Sequence, residues 1–283
     1  MRFPSGEVSG RGRVQAVLVL PDAEDGPRWG VVVDVTPFHP LDHTWPDQPA
    51  DTGTLGGLPV VDALTAAAGA DGELLVGEQI PVRRGDPSVS WHVLHVVAPG
   101  AALPPEPGDE VDLEVDVARR TAISAGHTAC HLAAFALNAR TAHLWRKDVD
   151  RRDGLGNPDL DQLAITVSTV GEREAFDAYR LGKSLRKKGF DTAALLEDLP
   201  GIEAAVNATL AGWVASGAAV RVETGGDDVL TARRRWTCAL PDGEASVPCG
   251  GSHVTSLAAL GGVRVAYTTA DDGAALEVRT TVG

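Results

Sequence analysis

Three cysteines in 283 residues cannot build a disulfide scaffold, and the odd count does not pair off. No stretch approaches eighteen uninterrupted apolar residues, so no transmembrane helix is expected. The opening MRFPSGEVSGRGRVQAVLVL lacks the long apolar core and the small-residue cleavage pattern of a secretory signal. A soluble, cytoplasmic protein is therefore the expectation. No repeat of fixed period is apparent, and no G-x-S-x-G serine nucleophile is present. Lysine is scarce as well: the chain has four, Lys147, Lys183, Lys187 and Lys188.

What is there is ordinary globular material. The chain is 43% hydrophobic and 23% charged, which excludes disorder as the dominant state. Single cores stop growing efficiently near this length, so two domains are expected. Against 25 Lys and Arg stand 39 Asp and Glu, a formal charge of −14. Such a balance repels phosphate at long range and argues against a nucleic-acid binder.

Short β-branched runs at 13–20 and 29–35 read as strands, and 36–60 reads as a loop dense in turn residues. Further strand-like pieces lie at 72–76, 79–83 and 90–97, a spacing that suggests a small barrel or sandwich. The Pro-rich stretch 98–110 is the candidate boundary. Beyond it, Val117 to about Leu144 carries apolar residues at helical spacing: Ile123, Ala129, Leu132, Ala133, Ala136 and Leu137. AITVSTV reads as a strand, 172–188 and 201–216 as helices, and the end from 218 alternates again as strands. Helices and strands do not alternate as βαβ units, so the expected class is α+β with an antiparallel sheet.

The sharpest feature is GHTACHLAAFAL. His127 and His131 are four apart, so on a helix their Cβ atoms share one face about 6 Å apart. Thr128 stands where a zinc protease of the H-E-x-x-H type has its glutamate, which removes that general base. Far downstream, PCGGSHVTSL sets Cys249 and His253 at the same spacing. Gly250 and Gly251 between them disfavour helix and favour a tight turn with exposed N–H groups. Three imidazoles and a thiolate form a borderline-soft tetrahedral set suited to zinc, with net charge +1. A lone H-x-x-x-H is more often a packed or solvated pair; two such pairs together point to a metal. His39 and His43 share the spacing, but Pro40 opposes a helix and they read as loop residues. His92 and His95 read as ordinary strand residues, Cys130 as facing away from the ligand stripe, and Cys238 as a buried free thiol.

HTACHLA followed at distance by CGGSHV resembles the editing domain shared by alanyl-tRNA synthetase and the free-standing AlaX proteins, whose patterns are roughly HTAxHLL and CGGTHV. VDLEVDVARR resembles that family's lead-in. Gln48, Pro49, Asp51, Thr52 and Gly53 match the end of its FYPEGGGQPxDTG segment, with TWPD replacing the glycines. Residues 145–245 do not match the ordinary family body. The resemblance implies an N-terminal β-barrel domain, placed at 1–111, and a zinc-containing α+β editing domain at 112–283. It implies His127, His131, Cys249 and His253 as zinc ligands. It also implies hydrolysis of the ester joining a wrong amino acid to a tRNA, either serine on alanine tRNA or a threonine analogue such as fluorothreonine. Gln48, Asp51 and Thr52 become candidate substrate-binding residues. Thr128 and the backbone N–H groups of Gly250 and Gly251 become candidate catalytic donors to the substrate.

The charge is not uniform. Residues 140–190 hold 11 basic and 8 acidic residues, the remainder 14 and 31. YRLGKSLRKKGF carries Arg180, Lys183, Arg186, Lys187 and Lys188 and no acid. A basic run is commonly a solvated helix face. Here it is the expected tRNA phosphate contact, reaching the acceptor stem and the aminoacylated 3′ end. The Asp-rich loop before it reads as turn and N-cap chemistry. No membrane contact is expected, and a homodimer is one option for the oligomeric state. Two other functions compete: an aminoacyl-tRNA-dependent transferase to a small molecule, and a non-catalytic zinc-clipped tRNA-binding module.

Overall fold

The computed structural model describes residues 1–23, 26–98, 103–226 and 229–283, so residues 99–102 of the expected Pro-rich connection lie outside it. Its chain divides into two compact units, each made of two segments. One is Met1–Arg120 with Thr224–Arg233, the other Thr121–Glu223 with Arg234–Gly283.

The first unit is a seven-stranded antiparallel sheet: β1 (Ser9–Ala23), β2 (Gly26–Val33), β3 (Gly53–Leu55), β4 (Leu58–Ala68), β5 (Leu74–Val76), β6 (Ser90–Val97) and β7 (Glu110–Val115). The spatial order is β3-β7-β1-β2-β6-β4-β5, and β3 also pairs β4, so the hydrogen-bonded order returns on itself. Alternation explains the strands: β7 reads EVDLEV and buries Val111, Leu113 and Val115 while its acids face out. These residues pack with Phe3, Val31, Val33, Phe38 and Leu55, and with Leu230 from the second segment. The expected loop 36–60 thus contains β3 and the start of β4. A Cβ at Gly53 would collide with the Glu114 carbonyl oxygen, so glycine permits the β3–β7 approach. The expected strand 79–83 is replaced by a short 3₁₀ turn, Gly77–Gln79, followed by irregular chain.

The second unit is built around α1 (Val117–Thr141), whose first turn belongs to the first unit. After it come α2 (Leu160–Ala164), β8 (Ile165–Gly171), β9 (Glu174–Arg180), α3 (Lys183–Lys187), α4 (Thr192–Glu197) and α5 (Leu199–Ala215). Then follow β10 (Val220–Thr224), β11 (Arg234–Leu240), β12 (Gly243–Pro248), β13 (Val263–Ala270) and β14 (Ala275–Val282). One sheet has the antiparallel order β13-β14-β9-β8, the other the order β10-β11-β12. The expected class is therefore met at the level of mixed helix and strand with antiparallel sheets.

The expected helix at 172–188 is wrong. Residues 174–180 form β9, which buries Ala175, Asp177 and Tyr179 in strict alternation. Only Lys183–Lys187 is helical there. Buried Asp177 is the cause of the misreading, since an acid on the inward face hides the period of two. Helix α5 follows its pattern, burying Ile202, Val206, Leu210 and Trp213 along one stripe. It also closes the free edge of β13: Asn207 accepts from Val265 N at 2.8 Å and donates to its carbonyl at 3.0 Å, and Glu203 accepts from Tyr267 N at 2.7 Å.

Candidate metal centre

Helix α1 is buried on more than one side, and Ala125, Ala129, Leu132, Ala133 and Ala136 let neighbouring elements approach it closely. Gly126 is the tightest point. A Cβ there would lie 2.5 Å from Gly171 O and 2.6 Å from Glu174 O, the turn between β8 and β9. One residue further on, His127 begins the ligand stripe, and His131 follows one turn later with ring centroids 4.8 Å apart.

Cys249 and His253 come from the irregular chain after β12. Hydrogen bonds hold this segment in place. Cys249 N donates to Arg234 O at 3.2 Å, Ser124 Oγ donates to Ser252 Oγ at 2.9 Å, and Val254 N donates to Thr128 Oγ1 at 3.2 Å. Ser124 and Thr128 flank His127 on α1, so one helix both carries two of the cluster's residues and fixes the loop that carries the other two.

His127, His131, Cys249 and His253 converge, with one ligand atom from each lying within 4.8 Å of every other. Cys249 Sγ is 3.5 Å from His127 Nε2 and 3.3 Å from His253 Nε2. A tetrahedral ion with bonds of about 2.3 Å to sulfur and about 2.05 Å to nitrogen sets S···N edges of about 3.5 Å. The two S···N distances match those edges, and the cluster could hold an ion.

Two further observations agree. His131 Nε2 is out of contact with solvent and has no hydrogen-bond partner among the described residues. Burial holds the His131 ring down to about 4, so it is neutral at physiological pH and keeps a lone pair to donate. The tautomer of His253 follows from Thr128. That hydroxyl has one proton, and the Ser124 carbonyl 2.8 Å away can only accept it. Its lone pairs then receive Val254 N–H and, at 3.2 Å, His253 Nδ1–H. A neutral His253 therefore turns a bare Nε2 toward Cys249. Trp236, fully buried, closes one side of the cluster, its ring centre 5.2 Å from that of His131. A cavity of about 340 Å³ adjoins His131 and Phe135.

Thr128 is fully buried and its one proton is committed to Ser124, so it orients His253 and has no proton to offer a substrate. Gly250 and Gly251 lie in the partly exposed chain between Cys249 and Ser252. Gln48, Asp51 and Thr52 lie in the first unit. Asp51 is buried, pairs through both carboxylate oxygens with Arg120, and accepts from His39 N. Gln48 Nε2 is 3.4 Å from His39 Nδ1, and Thr52 O accepts from Asp116 N at 2.8 Å. Arg180, Lys183, Arg186, Lys187 and Lys188 are all exposed on and around α3, and none makes an ion pair among the described residues.

Cys130 points at Asp177, with Sγ 3.4 Å from Oδ2, and burial pushes its thiol far up. Cys238 is a buried thiol, raised by burial to about 11. In the Asp-rich loop, Asp159 caps α2 through Gln162 N, and Asp153 accepts from Leu155 N and Asn157 N. Ser124, Ser252, Trp236 and Gly126 were not evident as site residues from sequence. The first two were within reach, since Ser124 precedes Thr128 by one helical turn and Ser252 lies inside the second motif.

Among the described residues no helix is long and apolar enough to cross a membrane. Compared with protein-family models and with curated proteins, the chain matches none of either.

Proposed function

We propose that this chain is a zinc-dependent aminoacyl-tRNA deacylase of the AlaX type, hydrolysing the ester of a small mischarged or toxic amino acid. One observation carries the reading. Two motifs 122 residues apart, HTACH and CGGSH, bring three imidazoles and one thiol into a single cluster. We read the returning strand order of the first unit as a closed barrel, in keeping with the same family.

His127, His131, Cys249 and His253 would hold the ion. Zinc, when bound, supplies a positive charge able to polarise a carbonyl or to lower the pKa of a water. The chain's own residues do the rest. Thr128 keeps the His253 proton on Nδ1, Trp236 excludes water from one side, and the basic residues around α3 attract the tRNA backbone. Hydrolysis adds water across the ester, leaving a free amino acid and a free ribose hydroxyl on the tRNA. The ester is already activated, so positioning and oxyanion stabilisation suffice.

The test is incubation of the purified protein with tRNAs charged with serine, glycine and threonine-type amino acids. Release of free amino acid from one of them supports the reading; intact esters throughout, with metal bound, sink it. A transferase would instead deliver the amino acid to an acceptor, which product analysis separates. A second reading is favoured by the full count of four protein ligands, since closed sites are commonly structural. On that reading His253→Ala unfolds the second unit, whereas a role in the reaction leaves the fold and abolishes deacylation.

A further inference from the structure

The sheets of the second unit differ in how their edges are closed. Helix α5 covers β13 through Asn207 and Glu203. The chain at Gly154 lies against β12, where a Cβ on Gly154 would sit 2.4 Å from Ser246 N and 2.6 Å from Ser246 O. On β10, Val220 N donates to Thr255 O at 2.9 Å. The outer edge of β8 has no such cover. Arg173 O accepts from Val282 N, which sets the parity of the β8–β9 hairpin. Val167, Thr169 and Gly171 turn their backbone groups toward β9, and Ser168 and Val170 turn theirs away. The N–H and C=O groups of Ser168 and Val170 make no hydrogen bond among the described residues.

Open edges are ordinarily blunted by lysine, proline or an inward-pointing charge. Strand β8 reads ITVSTVG, with no charged residue, no proline and mostly β-branched side chains. A register shift bends its start between Ile165 and Val167, and 167–171 runs regularly after it. Thr166, Val167 and Thr169 are exposed, Val167 by 43%. By alternation Val167, Thr169 and Gly171 share one face of the strand. Thr169 thus has an apolar side chain two residues before it and an empty position two residues after it.

We propose that β8 pairs with β8 of a second copy of this chain, antiparallel about a two-fold axis through Thr169. In that register Ser168 of each copy exchanges backbone hydrogen bonds with the partner's Val170, so all the unpaired groups of the edge are satisfied together. Val167 falls opposite the partner's Gly171, an apolar side chain over a position that has none. Two features favour a second copy over a foreign strand. The fit of Val167 to Gly171 is supplied by β8 itself. Also, chains of net charge −14 repel one another, so they meet closely only along a surface free of charge. With Thr169 on the axis, Glu172 falls opposite the partner's Thr166 and not opposite an acid. A single strand pair covers less than the standard interface of about 1,200–2,000 Å², so a dissociation constant of about 1–100 μM is expected.

Sedimentation equilibrium of the purified full chain tests this. The mass should rise from that of one chain, 29.4 kDa, toward twice that value as the concentration goes from about 1 to about 100 μM. Thr169→Lys sets two like charges face to face and should weaken the pairing at least about tenfold, and Thr169→Glu should do the same. An equimolar mixture of the two variants should dimerise again, because opposite charges then meet across the axis. Thr268→Lys, exposed on β13, should leave the dissociation constant unchanged. Thr169 is exposed, so its variants should fold, and circular dichroism checks that they do. The mass of one chain at about 100 μM, a dissociation constant indifferent to Thr169→Lys, or variants that do not recover on mixing overturns the proposal. Growth beyond the dimer overturns it too, since a two-fold edge closes at two. None of these readouts depends on ester hydrolysis, so this interface and the deacylase reading stand or fall separately.

Discussion

Thr128 has two neighbours that depend on one hydroxyl. Replacing it with Val removes the acceptor for His253 Nδ1–H and leaves Val254 N–H unpaired in a buried place. We expect a loss of about 1–3 kcal/mol in stability and of about 10–100-fold in metal affinity. Chelator competition and thermal melts measure these, and Thr128→Ser should recover most of both. His95 tests a different physics. Its Nδ1 donates to Val31 O at 2.9 Å and its Nε2 accepts from Thr36 at 2.8 Å, so the neutral ring is fully paired. Burial holds its pKa down to about 4, below the ordinary value near 6.5. Between those two values the unfolded chain binds a proton that the native one does not. Stability is therefore complete above about pH 6.5 and falls as the pH drops, by about 1.4 kcal/mol per unit. Melts from pH 7 to 5 should show a shallower slope for His95→Gln than for the parent. At this scale the sequence was most readable where chemistry sets spacing: the four residues of the cluster are visible as two i, i+4 pairs. It was silent on Trp236, because a contact across more than a hundred residues leaves no local pattern.

Elements answer to their neighbours more than to their own propensities. Helix α1 reads as a helix in any window, yet Gly126 in its interior opposes helix formation by about 1 kcal/mol relative to Ala. The packing against Gly171 and Glu174 decides the sign. Gly126→Ala should destabilise by about 1–3 kcal/mol through overpacking, and it should loosen the metal cluster next door; urea melts and chelator competition report the two effects. Should the variant instead gain stability, the close contact between α1 and the β8–β9 turn is not maintained in solution. Strand β9 makes the opposite point. Its residues alternate, but Asp177 on the inner face and the arginines that follow imitate a polar helix. Arg173, with φ near 60°, makes the turn between β8 and β9, a conformation uncommon for any residue but glycine and therefore hard to foresee. Short α2 and α4 begin at Asp159 and Asp191, whose side chains cap them. Segments of five or six residues give too little periodicity to be distinguished from loops.

For the whole molecule, the charge of −14 is a poor guide to what any one face can bind. The residues around α3 expose five cations with no ion-pair partners among the described residues. On the deacylase reading, replacing Lys183, Lys187 and Lys188 together with Ala should weaken tRNA binding and reduce the slope of log affinity against log salt by up to about three. Filter-binding at several salt concentrations measures it, and an unchanged slope takes this surface out of the proposed tRNA contact.

Neither unit is continuous in sequence, and that has a bearing on how the protein is made. The first unit takes Leu230 into its core, and the second has the last residue of its His/Cys cluster at His253. On a ribosome adding about 5–20 residues per second, the 122 residues separating His127 from Cys249 take roughly 6–24 s to emerge. Throughout that interval His127 and His131 are present without their partners, and the sheet of the first unit waits for its final packing residue. Both units then mature almost together rather than one after the other, and the four-residue cluster is complete only once His253 has emerged.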